Sequence, residues 1–253
     1  MKKIISMILV VLMLCASFVL TSCNLTSDPE SEIEDAIEKV NDLEAFDATM
    51  VMAITMKMNG QSYSMPVTVD IKASDDEMYA FYEMNIIGEK MEMEIYSDYE
   101  YIYVLSEGQG IKTPFDKNSE YNYSANVENV LKPLPKEVLE NVEVDEDDDG
   151  NKVFTVEIDS ETFMEIYNEN VESMGDDYAS SVEDLNLSDA VVTIAINDDG
   201  YVAYYNLEYT MTLSVYGEDV EADVVTEITF NDPGEDVEIE PMDGYKNYRT
   251  VNS

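Results

Sequence analysis

The chain contains no histidine, no tryptophan, only two cysteines and a single arginine. Each absence removes a class of chemistry. Without histidine there is no imidazole base to activate a serine or cysteine, and no imidazole ligand for zinc or haem. Cys15 and Cys23 both lie near the start, so no disulfide or thiolate-bound metal organises the rest of the chain. Arg249 sits close to the end, which leaves the body without a bidentate fork for phosphate or carboxylate. Positive charge is scarce throughout: 13 basic residues face 56 acidic ones, a formal net of −43. Such a surface repels nucleic acid and anionic headgroups. Its carboxylates are so dense that neighbouring pairs arise by chance, and a pair alone is no sign of a glycosidase. No nucleophile–base pair and no cofactor-binding loop appears. The expectation is a protein that is not an enzyme, with no cofactor and no metal.

What the chain does have begins at Lys2 and Lys3, a basic start followed by the uncharged apolar run Ile4 to Leu20. This is the pattern of a secretory leader; an N-terminal membrane anchor is the competing reading, since the run is near the shortest span. The tetrapeptide Leu20-Thr21-Ser22-Cys23 decides between them. It resembles the lipobox of bacterial lipoproteins, in which small residues precede the cysteine that becomes lipidated and N-terminal. Each buried methylene contributes about 0.8 kcal/mol, so two or three acyl chains hold a protein to a bilayer. The reading divides the chain into a signal peptide (1–22), the lipidated Cys23 with a polar tether (23–31), one domain (32–243) and a C-terminal tail (244–253). It places the protein on the extracytoplasmic face of the cell membrane. Loss of Lys2 and Lys3 with the leader takes the net charge to −45.

Hydrophobic periodicity supplies the fold class. Ser31 to Phe46 reads as a helix with Ile33, Ala36, Ile37 and Val40 on one face and capping-box spacing at Ser31 and Glu34. The period then changes to two: Met50, Met52, Ile54, Met56 and Met58 alternate with Thr49, Val51, Ala53, Thr55 and Lys57, and Asn59-Gly60 is a hairpin turn. A meander continues to about Ser106. The proline-bearing middle allows only short helices, near Val127–Leu131 and Lys136–Asn141. A second helix follows Asp159 or Ser160, with Phe163, Ile166, Tyr167, Val171 and Met174 as its stripe and Gly175 at its end. Three long strands close the pattern, with a turn at Asn197-Asp198-Asp199-Gly200. About eleven strands and two or three helices imply an α+β fold built on an antiparallel sheet.

Three features bear on function. Asp145, Asp147, Asp149 and Gly150 have the spacing of a calcium loop, but Val156 stands where a bidentate glutamate belongs and strands flank the segment; a solvated turn is expected. Thirteen methionines remain beyond the leader, most on apolar strand faces. Methionine fits deformable surfaces and also ordinary cores. Tyr99, Tyr101 and Tyr103 share one face, as do Tyr201, Tyr205 and Tyr209, which suits either a semi-polar groove or an outer sheet surface.

The order of these elements, from the lipobox to the ending Phe230–Pro241, resembles the LolA/LolB-like lipoproteins, most of all Gram-positive secreted lipoproteins of unknown function and, distantly, lipid-carrying lipoproteins of mycobacteria. The resemblance spans Ser31 to about Asp243. It implies a strongly curved antiparallel sheet, an incomplete barrel with helices on its concave face, and an apolar cavity between them for an acyl chain or another hydrophobic ligand. By that resemblance the lining comes from Met50, Met52, Ile54, Met56, Met91, Met93, Phe163, Ile166, Tyr167, Leu207, Tyr209 and Met211. The alternative is an acidic surface module for interaction or sensing, with a filled core. The acidity departs from the better-known carriers and leaves open a basic protein partner.

Overall fold

A computed structural model describes residues 29–58, 60–86, 88–115, 131, 134–173, 183–215 and 218–251. The leader, Cys23, Asn59, residues 127–130 of the helix expected near Val127–Leu131, Met174 and Gly175 lie outside the described residues, as does the side chain of Val171.

The elements run α1 (Pro29–Asn41), β1 (Ala45–Met58), β2 (Gln61–Ser74), β3 (Met78–Ile86), β4 (Glu89–Ser97), β5 (Tyr101–Ser106) and β6 (Gln109–Pro114). A 3-10 helix (Lys136–Asn141) leads into β7 (Glu143–Glu146), β8 (Lys152–Ile158), α2 (Ser160–Ser173) and β9 (Glu183–Leu187). Then come β10 (Ala190–Ile196), β11 (Val202–Val215), β12 (Glu218–Phe230), a second 3-10 helix (Tyr245–Asn247) and β13 (Arg249–Thr250). One curved, unclosed sheet holds every strand, in the order β13-β6-β5-β4-β3-β2-β1-β12-β11-β10-β8-β7, with β9 beside β11. All the pairs are antiparallel except β13 with β6. Two meanders are therefore joined where β1 pairs with β12. The described residues form thirteen strands where about eleven were expected; β6, β7, β9 and β13, of two to six residues, are too short to show a clear period. Among the described residues there are two α-helices and two 3-10 turns.

The alternation read in β1 sets the inner face of the sheet. Met52, Ile54 and Met56 are at most 3% exposed, whereas Val51 between them is 39% exposed. Register carries the same face across the sheet: Ile54 stands opposite Met65 on β2 and Val224 on β12, and Val224 opposite Tyr209 on β11. A one-residue slip would turn the whole methionine row to solvent, which fixes the pairing.

Both helices pack on the second meander. Helix α1 buries Ile33, Ala36, Ile37 and Val40 against β10, β11 and the first 3-10 helix, and α2 lies against β9. Helix α1 starts at Pro29, so Ser31 falls inside its first turn and does not cap it. Proline is at home there because the first helical N–H has no intrahelical acceptor. At the far end of α1, Lys39 lies 4.0 Å over the Tyr201 ring and donates to the carbonyl of Asp199.

Helix α2 is capped twice. Asp159 Oδ1 accepts the amides of Glu161 and Thr162 at 3.1 and 3.0 Å, and Asp189 Oδ1 accepts the amide of Ser160 at 2.9 Å. The bonds to Asp159, those from Thr162 first, hold its carboxyl below its usual range. Asp189 is free to do this because the strand breaks between β9 and β10. There the Ser188 amide donates to Thr210 O at 2.8 Å, and its hydroxyl accepts the Thr210 amide at 2.9 Å.

After β12 the chain leaves the inner face altogether. It turns through Asp232 and Gly234, where an added Cβ would lie 2.7 Å from the Tyr201 hydroxyl. Residues Glu235–Pro241 form no strand, and the segment Ile239–Tyr248 crosses the outer face of the first meander. Met242, Tyr96 and Tyr103 are buried together there. Tyr245 meets the last two edge-on at 5.0 and 4.8 Å. Gly110 has no side chain to spare: a Cβ would sit 2.5 Å from the Tyr248 ring. Strand β13 then extends the sheet beyond β6.

Candidate ligand surfaces

Nine of the twelve residues expected to line a cavity fall in one buried core on the inner face of the sheet. Met52, Ile54 and Met56 arrive on β1, Leu207, Tyr209 and Met211 on β11, and Phe163, Ile166 and Tyr167 on α2. Their convergence follows from the strand register and from the helical spacing of the α2 stripe. The Phe163 and Tyr209 rings pack edge-on, with centroids 5.1 Å apart. All nine are at most 5% exposed. Side chains so enclosed have other atoms against nearly all of their surface, which is the signature of packed interior. Thr226, between Met52 and Leu207 in register, is the polar exception: its hydroxyl is buried with no hydrogen-bond partner among the described residues. Tyr205 is next along the same face, and burial alone raises its phenol pKa.

The other three lie differently. Met50 is half-buried at the margin of this layer. Met93 and Met91 belong to β4, well away from α2 in the strand order. Register still puts them on the inner face, Met91 opposite Met84 and Met93 opposite Tyr82. Met93 is half-buried and Met91 is 41% exposed. Around them Tyr82, Met84, Ile86, Ile102 and Val104 are only partly buried, and Ile111 on β6 is 36% exposed. This wing, β3 to β6, carries the same apolar inner face as the second meander; it buries Met78, Ala80 and Ile95 but leaves the part around Met84, Met91 and Met93 half-open.

Two surface depressions are lined by described residues. One, of about 410 Å³, is a notch beside the β5–β6 turn, bounded by Phe81, Met91, Met93, Leu105 and Glu107. The other, of about 540 Å³, lies between the end of β1 and Thr212–Ser214. Its cation is already taken: Lys57 Nζ is 2.8 Å from Glu221 and 3.0 Å from Asp223. The Lys57 bond, with another from Thr210, holds the Asp223 carboxyl below its usual range.

The Asp147 turn spends its carboxylate on its own loop. Oδ1 accepts the amides of Asp149 and Asn151 at 3.0 and 2.9 Å, and Oδ2 accepts the Asn151 side chain at 2.9 Å. Asn197 builds the same kind of turn, accepting the amides of Asp199 and Tyr201. The tyrosines divide by face: Tyr101 and Tyr103 line the outer surface, Tyr205 and Tyr209 the inner one, and Tyr99 sits in the turn before β5 at φ 54°.

Sequence reasoning missed the outer aromatic clasp. Its signal was the paired tyrosines of the tail, Tyr245 and Tyr248, together with Gly110 in a strand. Tyr96 donates to Glu77 at 2.7 Å and Tyr103 to Asp98 at 3.1 Å. Burial first, and these carboxylates next, raise both phenols well above the usual value. Tyr79 is pushed up to about 12 by burial and by Glu94.

Comparison with known proteins returns a family described as a family of unknown function (DUF6612), which matches residues 29–240. No curated protein sequence matches. Among solved structures, LprF from Mycobacterium bovis is 12% identical with a TM-score of 0.39; the match covers 84% of this chain and 96% of that one. A domain from Vibrio parahaemolyticus, described as outer membrane lipoprotein-sorting, is 13% identical with a TM-score of 0.28, over 83% and 96% of the two chains. A DUF1329 family protein from Desulfovibrio piger is 9% identical with a TM-score of 0.26, over 85% and 96%. At such distances none of these similarities carries a ligand over to this chain.

Proposed function

The chain belongs to the DUF6612 family, and from that premise we propose that it is a lipid-anchored extracytoplasmic protein that binds an acyl-chain-like ligand on the inner face of its open wing. The lipobox supports the anchor. One observation carries the ligand: a methionine-lined apolar face, sealed by helices on the second meander, stays half-open from β3 to β6, with Met91 41% exposed. Methionine side chains are unbranched and polarizable, so they follow the contour of a flexible chain at little cost. The reading moves the ligand from beneath α2, where the residues are enclosed, to Met84, Met91, Met93 and their neighbours. No reaction is assigned, since none of the groups described forms a nucleophile–base pair.

Two experiments test this. Metabolic labelling with a radioactive fatty acid should mark the wild type, and Cys23→Ser should lose the label and release protein into the medium. Native mass spectrometry of protein taken from its own membrane should show a bound lipid, displaced by a fluorescent fatty acid. Label retained on the Cys23→Ser protein would remove the anchor; a ligand-free protein that ignores the probe would remove the carrier.

A second reading, an acidic interaction module with a filled core, has its own support in the near-complete burial of Met52, Ile54, Met56, Phe163 and Met211. It expects no bound lipid and no probe binding.

A further inference from the structure

We infer that the free edge of β4, from Glu89 to Glu92, docks an extended basic segment of a partner protein as one more strand in line with β5. Strand β4 pairs with β3 along its whole length, Glu89 to Ser97, but with β5 only from Met93 to Ser97. The cause is local. Strand β5 stops at Ser106 and doubles back into β6 through Glu107 and Gly108, at φ 51° and 73°. Both residues are left-handed, as a two-residue hairpin of this hand requires. The four residues beyond the turn have no strand on the side away from β3 among the described residues.

A bare edge is a template for strand addition, and proteins usually blunt it with proline, a bulge or lysine. Here β4 has no proline, and its pairing with β3 runs without a register shift. Its lysine, Lys90, is held by Glu83 at 2.7 Å and Glu92 at 2.8 Å on the outer face, which raises its pKa. The edge also opens into the 410 Å³ notch, which reaches both faces of the sheet. Met91 and Met93 lie on its inner side, Phe81 and Leu105 on its outer side, so successive side chains of an added strand meet apolar surface either way.

The charge selects the partner. Glu92, Glu94 and Glu107 border the notch, Lys90 is already paired, and the whole chain carries −43. Glu107 occupies a left-handed position where glycine or asparagine is usual, and so keeps a carboxylate at the mouth. Of the sheet's two terminal strands, β13 is only two residues long, and β7 is equally acidic, but no notch of described residues adjoins β7 and Val144 stands out there at 46% exposure. This docking goes beyond the acyl-ligand reading. It needs the β4 backbone, which an acyl chain does not use.

A short synthetic peptide of alternating lysine and valine serves as the probe, beside a glutamate–valine counterpart and a lysine–valine peptide N-methylated at alternate amides. At low salt the unmodified basic peptide should bind roughly tenfold or more tightly than either control, because one lacks the charge and the other the backbone donors. Hydrogen exchange of the amides in 89–92 should slow in its presence. The double variant Glu92→Lys with Glu107→Lys should lose most of that affinity while keeping the wild-type melting temperature. Equal binding of the N-methylated peptide, protection at Glu143–Glu146 instead, or no binding at all would overturn the inference. A fatty-acid probe run in parallel keeps the two readings separate, since it should bind whichever peptide result is obtained.

Discussion

The two meanders use the same inner face in opposite ways. On β8 to β12 that face is shut beneath α1 and α2, and Phe163, Ile194 and Met211 are almost completely buried. On β3 to β6 the seal lies on the other side. The tail covers Tyr96 and Tyr103 on the outer face, and Met84, Met91 and Met93 on the inner face stay half-open or exposed. A sheet needs one face buried to be stable. By burying the outer face of the wing with its own C-terminus, this chain leaves the inner face available without losing the strands that carry it.

The largest test of that contrast is truncation on each side. Phe163→Ala should lower unfolding stability in urea by about 3–5 kcal/mol, as for a fully buried aromatic. Met91→Ala, at the open wing, should stay within about 0.5 kcal/mol of wild type. Comparable losses would mean that the wing is as closed as the helical side.

Enlargement sharpens the same point. Met52→Trp adds volume to a packed layer and should cost about 1–3 kcal/mol while leaving probe binding intact. Met91→Trp should be close to neutral in stability and should block a fluorescent fatty acid. Of similar size is the effect at the clasp. Gly110→Ala drives a methyl group into the Tyr248 ring and should cost about 1–3 kcal/mol. Limited proteolysis should then cut the tail, with the helices of the second meander still protected.

Which of these residues could be told apart from the sequence alone is instructive. Met52 and Met91 sit in near-identical local patterns, methionine alternating with polar or small residues, and the period predicts the face of each correctly. Whether that face is covered depends on where α1 and α2 dock, which is set by contacts between separate elements such as Lys39 with Tyr201 and Phe163 with Tyr209. The Asn197 turn and the Asp159 cap were legible because their chemistry is local. The break between β9 and β10 was not, since its evidence is a hydrogen bond from Ser160 to Asp189. The tail clasp escaped for the same reason: Tyr248 needs Gly110, and nothing in either neighbourhood announces the other.

The smallest effect concerns pH. Tyr96 and Tyr103 have phenol pKa values raised by burial and by Glu77 and Asp98, against an unfolded value of about 10. A raised folded value favours the protonated form in the native state. The clasp's stability is therefore complete below about pH 10 and is lost as pH climbs toward the folded values. Tyr96→Phe should cost about 1 kcal/mol at neutral pH through the lost bond to Glu77. It should also make the alkaline decline shallower, as read from thermal midpoints between neutral pH and pH 11. An alkaline decline as steep as that of wild type would show that Tyr96 does not govern it.

The central claim is that an acyl-chain-like ligand lies on the open wing and not beneath α2. A photoreactive fatty acid, crosslinked to the lipid-depleted protein and mapped by peptide mass spectrometry, tests it most directly. Crosslinks are expected on β3 and β4, at Met84, Met91 and Met93, displaced by excess unlabelled fatty acid. Crosslinks at Met52, Phe163 or Met211, or none that excess fatty acid displaces, would contradict it.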